Sequence, residues 1–414
     1  MTVPDARAQD HVDEHGVVEL TRALVRVRSV NDPAAGSNEA PAADVVARQM
    51  REWGWEPQVV EVAPGRPNVV AVIQGGGGPG RTLMFEGHTD VVTEGDLGAW
   101  SVHPYGAELR DGRIWGRGSA DMKSGVAAML HGVRALQLAG PFPGRVVVAA
   151  LVDEEGLMLG AKHFARTWRD HLDGEIDGVI VGEPEEGEVC ATAKGALRLK
   201  IELTGAMAHG AMPQHARNPI PVAALVVTAL GDLEEGLVDE HGEHEHLGPT
   251  YLTPTVLLAG DTNQINVIPA RAVLCVDVRT IPGVDHARLV TDVTEAARAV
   301  ASAAGVDVHV EVVDDRPPVD TPVDHPVVTA LAAAHQNVTG EQARYGGVPG
   351  ATDGTILTRD AGLATVVYGP GGKWIAHQAD EFVEVGDVIR AAQVYAEAAR
   401  LFLTGATAGE AITG

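Results

Sequence analysis

The sequence has few aromatic residues, only two cysteines and no long apolar run. Phenylalanine, tryptophan and tyrosine make up 4% of its 414 residues. Cys190 and Cys275 lie far apart in apolar, strand-like surroundings, which argues against both a disulfide framework and a CxxC metal site. We expect both to be buried thiols. Because no run of about 18 apolar residues occurs, the sequence predicts no transmembrane helix.

Basic residues are also scarce. The chain has 31 lysines and arginines against 57 aspartates and glutamates, a formal net charge of −26. Nucleic acids and anionic membranes need a basic surface to neutralise their phosphates, so we predict neither as a partner. The opening segment MTVPDARAQDHVDEH lacks the basic and apolar regions of a secretory signal, and we therefore expect a cytoplasmic protein.

The length exceeds what one hydrophobic core usually holds, which favours two domains. Short apolar runs alternate with helical patterns up to residue 193 and again after residue 314. This alternation predicts the α/β class, with a mixed-sheet catalytic domain and helices on both faces. Between the two parts, a strand at Ala196–Leu203 and a helix at Pro219–Leu230 begin an α+β insert. The predicted domains are 1–193 and 315–414 for the catalytic domain and 194–314 for the insert. The tail GATAGEAITG is predicted to be disordered.

Potential metal ligands follow three of the predicted strands. His88 and Asp90 follow Thr82–Glu86, Glu154 and Glu155 follow Arg145–Val152, and Glu183 follows Gly178–Val181. Open α/β sheets bind their ligands at the carboxyl ends of strands. Each segment also has an ordinary alternative: a structural histidine, an exposed acidic turn, or a simple strand-ending turn. If the two glutamates are buried, one can bind a metal while the other accepts a proton from water.

Two loops supply further candidates. Asp121 stands where a glycine-rich loop, GRGSADMKSG, enters a helix predicted over Asp121–Leu138, and an N-capping role is its alternative. His377 lies in GPGGKWIAHQADE, ahead of the last helix. Two imidazoles and three carboxylates suit two zinc ions, and in an His-x-Asp pair such as His88 and Asp90 the carboxylate can orient the imidazole.

In this order, the segments GHTDVV, GRGSADMKSG, VDEEG, GEP and AHQADE resemble those of the M20 metallopeptidase family. That group includes acetylornithine deacetylase, succinyl-diaminopimelate desuccinylase, aminoacylase-1 and carboxypeptidase G2, and the resemblance covers nearly the whole chain. It implies that His88 and Glu183 bind one metal ion, that Glu155 and His377 bind another, and that Asp121 bridges them. Asp90 would orient His88, and Glu154 would be the general base.

The resemblance also assigns roles to the insert, which would be a lid and dimerisation domain of a homodimer. His209, in GAMAHGAMP, would polarise the scissile carbonyl in the partner subunit's active site. Asn266 and Arg279 would hold the substrate carboxylate, for which an arginine fork is suited. Thr352, in GATDG, would lie near the substrate.

The predicted function is that of a hydrolase with two divalent metal ions, zinc in the first place and cobalt or manganese as alternatives. It would cleave the amide C–N bond of an N-acyl amino acid, with a metal-bridging water activated by Glu154. An exopeptidase acting on short peptides shares every catalytic residue and stays open. A deaminase or another C–N hydrolase is a further alternative. From another class, a non-catalytic metal-dependent binding or scaffold protein would be expected to have lost a ligand or the base.

Overall fold

The computed structural model describes residues 7–30, 32 and 36–406, so most of the tail predicted to be disordered lies outside the described residues. The chain divides into two compact units. The first contains the described residues up to Ala191, then Thr321–Gly347 and the described residues from Thr352 onward. The second contains Thr192–Asp320 and Val348–Ala351. The domain boundaries predicted at residues 193 and 314 stay a prediction.

The elements are numbered in chain order. The strands are β1 (Gln58–Ala63), β2 (Arg66–Gln74), β3 (Thr82–His88), β4 (Glu108–Arg110), β5 (Arg113–Trp115), β6 (Arg145–Leu151), β7 (Gly178–Val181), β8 (Val189–Ala193), β9 (Gly195–Thr204), β10 (Ala208–His209), β11 (Tyr251–Ala259), β12 (Val267–Ile268), β13 (Arg271–Thr280), β14 (Asp307–Arg316), β15 (Val319–Asp320), β16 (Tyr345–Val348), β17 (Thr365–Val367) and β18 (Phe382–Glu384). The α-helices are α1 (Glu14–Val25), α2 (Ala40–Glu52), α3 (Ser124–Ala139), α4 (Leu159–His171), α5 (Pro219–His241), α6 (His286–Ser302), α7 (Pro326–Thr339), α8 (Asp353–Ala361) and α9 (Val385–Thr404).

The main sheet of the first unit has the strand order β1-β2-β6-β3-β7-β17-β8, and β16 also pairs with β8. Strands β6, β3, β7 and β17 run parallel to one another, whereas β1 and β2 form an antiparallel extension beyond β6. The sheet is therefore mixed. The predicted α/β class, with an inserted α+β unit, is confirmed.

Helices cover both faces of this sheet. On one face, alternate residues of β2 and β6, such as Ala71 and Val148, pack into a large core with α1, α2, α3, α7 and α9. On the other face α4 and α8 pack, the first beside Asn68 and the second beside Val181. Because successive strand residues point to opposite faces, a strand covered on both sides is buried along its length, as β3 is and as β6 is after Arg145.

The second unit contains an antiparallel sheet in the order β11-β13-β9-β14, with α5 and α6 packed on one face. Along β13, Leu274, Val276 and Val278 are buried under these helices. The intervening residues, including Cys275, lie on the open face, so Cys275 is half-buried and only Cys190 is buried as predicted. At the start of this unit, Thr192 and Ala193 of β8 pair with β15.

Two helix predictions need correction. Helix α5 continues to His241 instead of ending at Leu230, because Leu237 extends the buried apolar stripe beyond Gly231. Helix α3 begins at Ser124 rather than Asp121, since Asp121 and the next residue have non-helical dihedral angles. None of the helices in the described part of the chain has the length and apolar character needed to span a bilayer.

Candidate active site

The carboxyl ends of three neighbouring parallel strands meet at one edge of the main sheet. His88 is the last residue of β3, Glu154 and Glu155 follow β6, and Glu183 follows β7. The register pairs His88 with Leu151, the last residue of β6. Side chains separated by up to 95 positions in the sequence are thereby brought to one place.

Asp121 lies between two histidines. Its Oδ1 is 3.1 Å from Nε2 of His88, and its Oδ2 is 3.2 Å from Nε2 of His377. It stands in an irregular turn ahead of α3, with φ −116° and ψ 100°, and its peptide bond to Met122 is cis. The side chain does not cap the helix, so the capping alternative is not what the structure contains.

Each of the two histidines also contacts a glutamate. Nε2 of His88 is 3.5 Å from Oε1 of Glu183, and Nε2 of His377 is 2.8 Å from Oε1 of Glu155. Two groups have ligand atoms within 4.8 Å of one another: His88 with Asp121 and Glu155, and His88 with Glu154 and Glu183. All six residues predicted as metal ligands or general base therefore lie together. Their individual roles stay predictions.

Burial dominates the acid-base behaviour of the glutamates. Glu154 is 8% exposed, and burial raises its pKa well above the ordinary value while His88 opposes the shift. Burial, followed by the charge of Asp121, raises the pKa of Glu183 to about 7. Burial also raises the pKa of Glu155. Because burial is the largest cause of each shift, these carboxyl groups do not form an exposed acidic turn.

At the two histidines, neighbouring carboxylates outweigh the effect of burial on the pKa. Burial alone lowers the pKa of His88, but Glu183 and Asp121 outweigh it, and the pKa lies well above the ordinary value. Hydrogen bonds to Asp121 and Glu155 raise the pKa of His377 to about 10. Each imidazole is thus surrounded by carboxylates that favour a positive charge at its position.

The donor set fits divalent metal ions. Four carboxylates, those of Asp121, Glu154, Glu155 and Glu183, converge on two imidazoles in a largely buried site. Ionised together they carry four negative charges, which two divalent cations would balance; without cations such burial is costly. Imidazole and carboxylate donors suit zinc, and also cobalt or manganese.

Asp90 contacts the glutamate pair as well as His88. Its carboxylate oxygens accept the backbone N–H groups of Glu154 and Glu155, each at 3.1 Å. Nδ1 of His88 is 3.1 Å from the backbone carbonyl oxygen of Asp90 and 3.6 Å from its carboxylate. The hydrogen bond between His88 and Asp90 is made through the main-chain carbonyl of Asp90. The predicted orientation of His88 by Asp90 stays a prediction.

Glu381 and Arg117 form a buried brace, in which Glu381 had no predicted role. Oε1 of Glu381 accepts the backbone N–H groups of Ala120 and Asp121, at 2.9 and 3.2 Å. Arg117 pairs with the other oxygen of Glu381 and donates to the carbonyl oxygen of His377 at 3.2 Å. The brace joins the two loops that carry Asp121 and His377. Glu381 closes the quoted motif AHQADE, which was its only sequence signal.

The loop carrying His377 is also tied to the loop after β7. Nζ of Lys373 lies 2.6 Å from Oε2 of the buried Glu185, and Nε1 of Trp374 donates to Glu186 at 2.7 Å. These contacts join two segments that are 188 positions apart. They fix one candidate ligand, His377, relative to another, Glu183.

Another buried carboxyl group, Glu86, lies two residues before His88 on β3. Burial, then the charges of Asp353 and Glu183, raises the pKa of Glu86 well above the ordinary value. The charges of Asp353 and Glu183 thus add to burial in favouring the neutral form of the Glu86 carboxyl group. An acid inside an apolar strand gave no recognisable sequence signal.

Three predicted substrate-contacting residues belong to the second unit. His209 on β10 pairs with Val267 on β12, and the carbonyl oxygen of Asn266 accepts the N–H of Gly210 at 2.7 Å, so His209 and Asn266 are neighbours. Arg279 lies on the open face of β13, where its Nε donates to Asp277 at 2.7 Å. The roles of these residues stay predictions.

Thr352 of the first unit is buried and caps α8, because its hydroxyl accepts the N–H of Gly354 at 3.2 Å. Its role toward the substrate stays a prediction.

The histidine-rich segment HGEHEH begins inside α5, at His241. Over residues 7–30, 32 and 36–406, the side chains close enough to hold a metal ion form only the two groups at the sheet edge.

At the parallel strand ends of an open α/β sheet, one histidine and three glutamates meet Asp121 and His377 from two loops, and this arrangement defines a candidate metal-dependent hydrolase. Residues 84–401 match the model of Peptidase family M20/M25/M40. The chain is 31% identical to succinyl-diaminopimelate desuccinylase 2 of Ruegeria sp. (strain TM1040), over 94% of this chain and 95% of that protein. The chain belongs to Peptidase family M20/M25/M40. The predicted family and the predicted class of metal-dependent amidohydrolase or metallopeptidase are confirmed.

Solved structures agree on the fold. An M20 family metallo-carboxypeptidase, Sso-CP2 from Sulfolobus solfataricus, matches with a TM-score of 0.76 at 19% identity, covering 94% of this chain and 99% of that one. The di-peptidase Dug1p from Saccharomyces cerevisiae matches with a TM-score of 0.77 at 15% identity, covering 97% and 99%. At these identities the likeness concerns the fold.

Proposed function

We propose that this protein is a hydrolase with two divalent metal ions that cleaves the amide C–N bond of an N-acyl amino acid. The observation that carries the proposal is the convergence of five candidate ligands around one further buried glutamate, Glu154. In this assignment His88 and Glu183 hold one ion and Glu155 and His377 hold the other. Asp121 would hold both ions, since each of its oxygens faces a different histidine.

Glu154 is the general base. Its carboxyl group is buried next to His88 and Glu183, and Asp90 fixes its backbone through the amide N–H. It accepts a proton from the attacking water and later donates that proton to the leaving amine. When bound, the metal ions supply Lewis acidity that activates water and polarises a carbonyl group. Zinc is the proposed metal, with cobalt or manganese as alternatives.

Roles toward the substrate are also proposed for three residues of the second unit. His209 polarises the scissile carbonyl, and Asn266 and Arg279 hold the substrate carboxylate. The exposure of His209 and its position beside Asn266 support a shared task. Arg279 has a planar fork that can bond a carboxylate through two N–H groups, as it does now with Asp277.

A homodimer is the proposed assembly. Strand β11 lies at one edge of the second unit's sheet, with a paired strand on one side only in the described part of the chain. Its side chains Val256, Leu257 and Leu258 are exposed by 40%, 51% and 64%. An apolar edge strand of this length favours association with another chain, and a second copy is the simplest partner.

The acyl group is proposed to be succinyl or a similar short acid, since the desuccinylase of Ruegeria sp. is 31% identical over nearly the full length. The second candidate function is an exopeptidase on short peptides, favoured by the fold shared with a carboxypeptidase and a dipeptidase. Both reactions use the same metal site and differ in the group that flanks the scissile bond.

The test of the base is Glu154→Gln, with Glu397→Gln as the matched control. Glu397 is another buried glutamate, which pairs with Arg400 on α9 and does not belong to the site. We expect Glu154→Gln to retain its metal and lose turnover by at least about 100-fold, the effect typical of a general base, while the control keeps both. A metal-loaded Glu154→Gln enzyme with normal turnover would contradict the proposal.

The substrate is tested with N-succinyl, N-acetyl and N-formyl amino acids and with dipeptides, each with and without a chelator. A higher kcat/KM for the N-acyl compounds supports the deacylase. A preference for dipeptides moves the assignment to the exopeptidase. Turnover that is indifferent to chelation would refute both.

A further inference from the structure

A buried arginine, Arg66, joins two carboxylates from separate parts of the chain. Its Nε and Nη2 donate to Glu39 at distances from 2.5 to 3.1 Å, and Nη2 also donates to Asp153 at 2.6 Å. The side chain of Arg66 is 10% exposed, and those of Glu39 and Asp153 are 0% and 2% exposed. This triad is fully formed inside the first unit.

The three residues connect different elements. Glu39 immediately precedes α2, Arg66 is the first residue of β2, and Asp153 lies in the turn after β6. Asp153 directly precedes Glu154 and has a left-handed backbone, with φ +68°. The triad therefore connects the body of the fold to the turn that carries the proposed base.

The Asp153 carboxylate is surrounded by donors. Oδ1 accepts from Arg66, while Oδ2 accepts the backbone N–H groups of Leu157 and Leu159 at 3.1 and 3.3 Å. The backbone carbonyl of Asp153 accepts the N–H of Met158 at 2.6 Å. These bonds close the turn between β6 and α4. An amide at position 153 would present a donor where only donors approach.

The same turn is held from its other side by Asp90, which accepts the N–H groups of Glu154 and Glu155. Two carboxylates thus clamp three consecutive residues, Asp153 to Glu155. The two bonds of Asp90 hold Glu154 and Glu155, and neither of them reaches Asp153. Arg66 supplies the second attachment and also the positive charge that a buried Asp153 needs.

We propose that Arg66, together with Glu39 and Asp153, is a positioning group that holds the Glu154–Glu155 turn in the geometry required for proton transfer. The inference rests on the proposed function, because it assumes that Glu154 is the base. None of the three residues is proposed to touch substrate or metal. Their effect on the reaction passes through the backbone of the turn.

The experiment compares Arg66→Met, Arg66→Lys and Asp153→Asn with a matched control, Arg400→Met. Arg400 also forms a buried two-point pair with a glutamate, Glu397, at 2.8 Å for both bonds. Its loss should cost stability without moving the turn. For each variant kcat, KM, zinc content and the melting temperature are measured at saturating zinc.

We expect Arg66→Met and Asp153→Asn to lower kcat by about 10- to 100-fold, as loss of supporting groups around a metal site does, with KM within about twofold. Arg66→Lys keeps the charge but not the fork, so it should recover part of kcat. Arg400→Met should lower the melting temperature and leave kcat unchanged. The split between kcat and KM is what a merely structural role would not produce.

A double variant separates this inference from the proposed function. If Arg66 acts through Glu154, then Arg66→Met should cost much less kcat in a Glu154→Gln background than in the native enzyme. An inactive Glu154→Gln enzyme with a fully active Arg66→Met refutes the positioning role alone, whereas an active Glu154→Gln refutes the proposed function. A loss of kcat in Arg400→Met equal to that in Arg66→Met would also overturn the inference. Should Arg66→Met fail to fold, Arg66→Lys and Asp153→Asn decide by the same criteria.

Discussion

His131 makes the stability of the folded protein sensitive to mild acid. The side chain lies on α3, is 5% exposed, and packs edge-on against Trp53 with ring centroids 4.9 Å apart. Burial lowers the pKa of His131 from 6.5 to about 4, although the charge of Asp13 opposes the shift. The unfolded chain therefore takes up the proton first as the pH falls. The contribution of neutral His131 to the free energy of unfolding is complete above about pH 6.5 and is lost progressively down to about pH 4.

The size of this effect follows from the difference in pKa. A difference of about 2.5 pH units corresponds to about 3 kcal/mol at full development, of which about 2 kcal/mol is reached by pH 5. The packing is tight, since a Cβ on Gly16 would lie 2.6 Å from Cε1 of His131.

The assay is urea unfolding of the chelator-treated protein at pH 7.5, 6 and 5, comparing the native chain with His131→Leu. Leucine has no charge at any pH, so the variant should lose about 2 kcal/mol less than the native chain between pH 7.5 and pH 5. His309→Asn, at an exposed histidine on β14, is the control and should follow the native chain. Parallel losses in the native chain and His131→Leu would refute the reasoning.

The remaining predictions concern the site and the assembly. Glu381→Gln should weaken metal affinity by about 10- to 100-fold in competition with a chromophoric chelator. The new amide N–H₂ group would face Arg117, a donor that now pairs with the second carboxylate oxygen of Glu381, and would loosen the brace on Asp121; unchanged affinity would exclude the brace as a support. Leu257→Lys should shift sedimentation toward the monomer, whereas Val313→Lys, equally exposed on the opposite edge strand, should not. Removal of metal by a chelator should abolish turnover, and zinc or cobalt should restore it; turnover that survives complete metal removal would contradict the assignment.

Local pattern was enough to predict the strand ends of the site. Thr82–Glu86 and Gly178–Val181 are short apolar runs, and an acid or histidine directly after such a run has to lie at the strand's carboxyl end. The observed strands Thr82–His88 and Gly178–Val181 agree closely with these runs. The prediction succeeded because the relevant signal is the order of residues within a few positions.

The supporting contacts could not be predicted in the same way. Arg66 meets Asp153 across 87 positions, and Ala120 meets Glu381 across 261. Arg66, Asp153 and Glu381 each look locally like an ordinary surface charge, and only the folded chain makes them buried partners. Strand β1 was missed for a related reason: half of its residues are exposed and none is buried, so its sequence lacks the apolar run of a central strand.

The second unit interrupts the first between Ala191 and Thr321. Four of the five candidate ligands, from His88 to Glu183, precede this interruption, and His377 follows it. During synthesis the ribosome must therefore release the whole interrupting unit before the last ligand becomes available. Because domains generally fold as units in the order of synthesis, the second unit can reach its own fold first. A nascent chain then carries an incomplete metal centre for more than a hundred residues, and completion of that centre coincides with closure of the first unit.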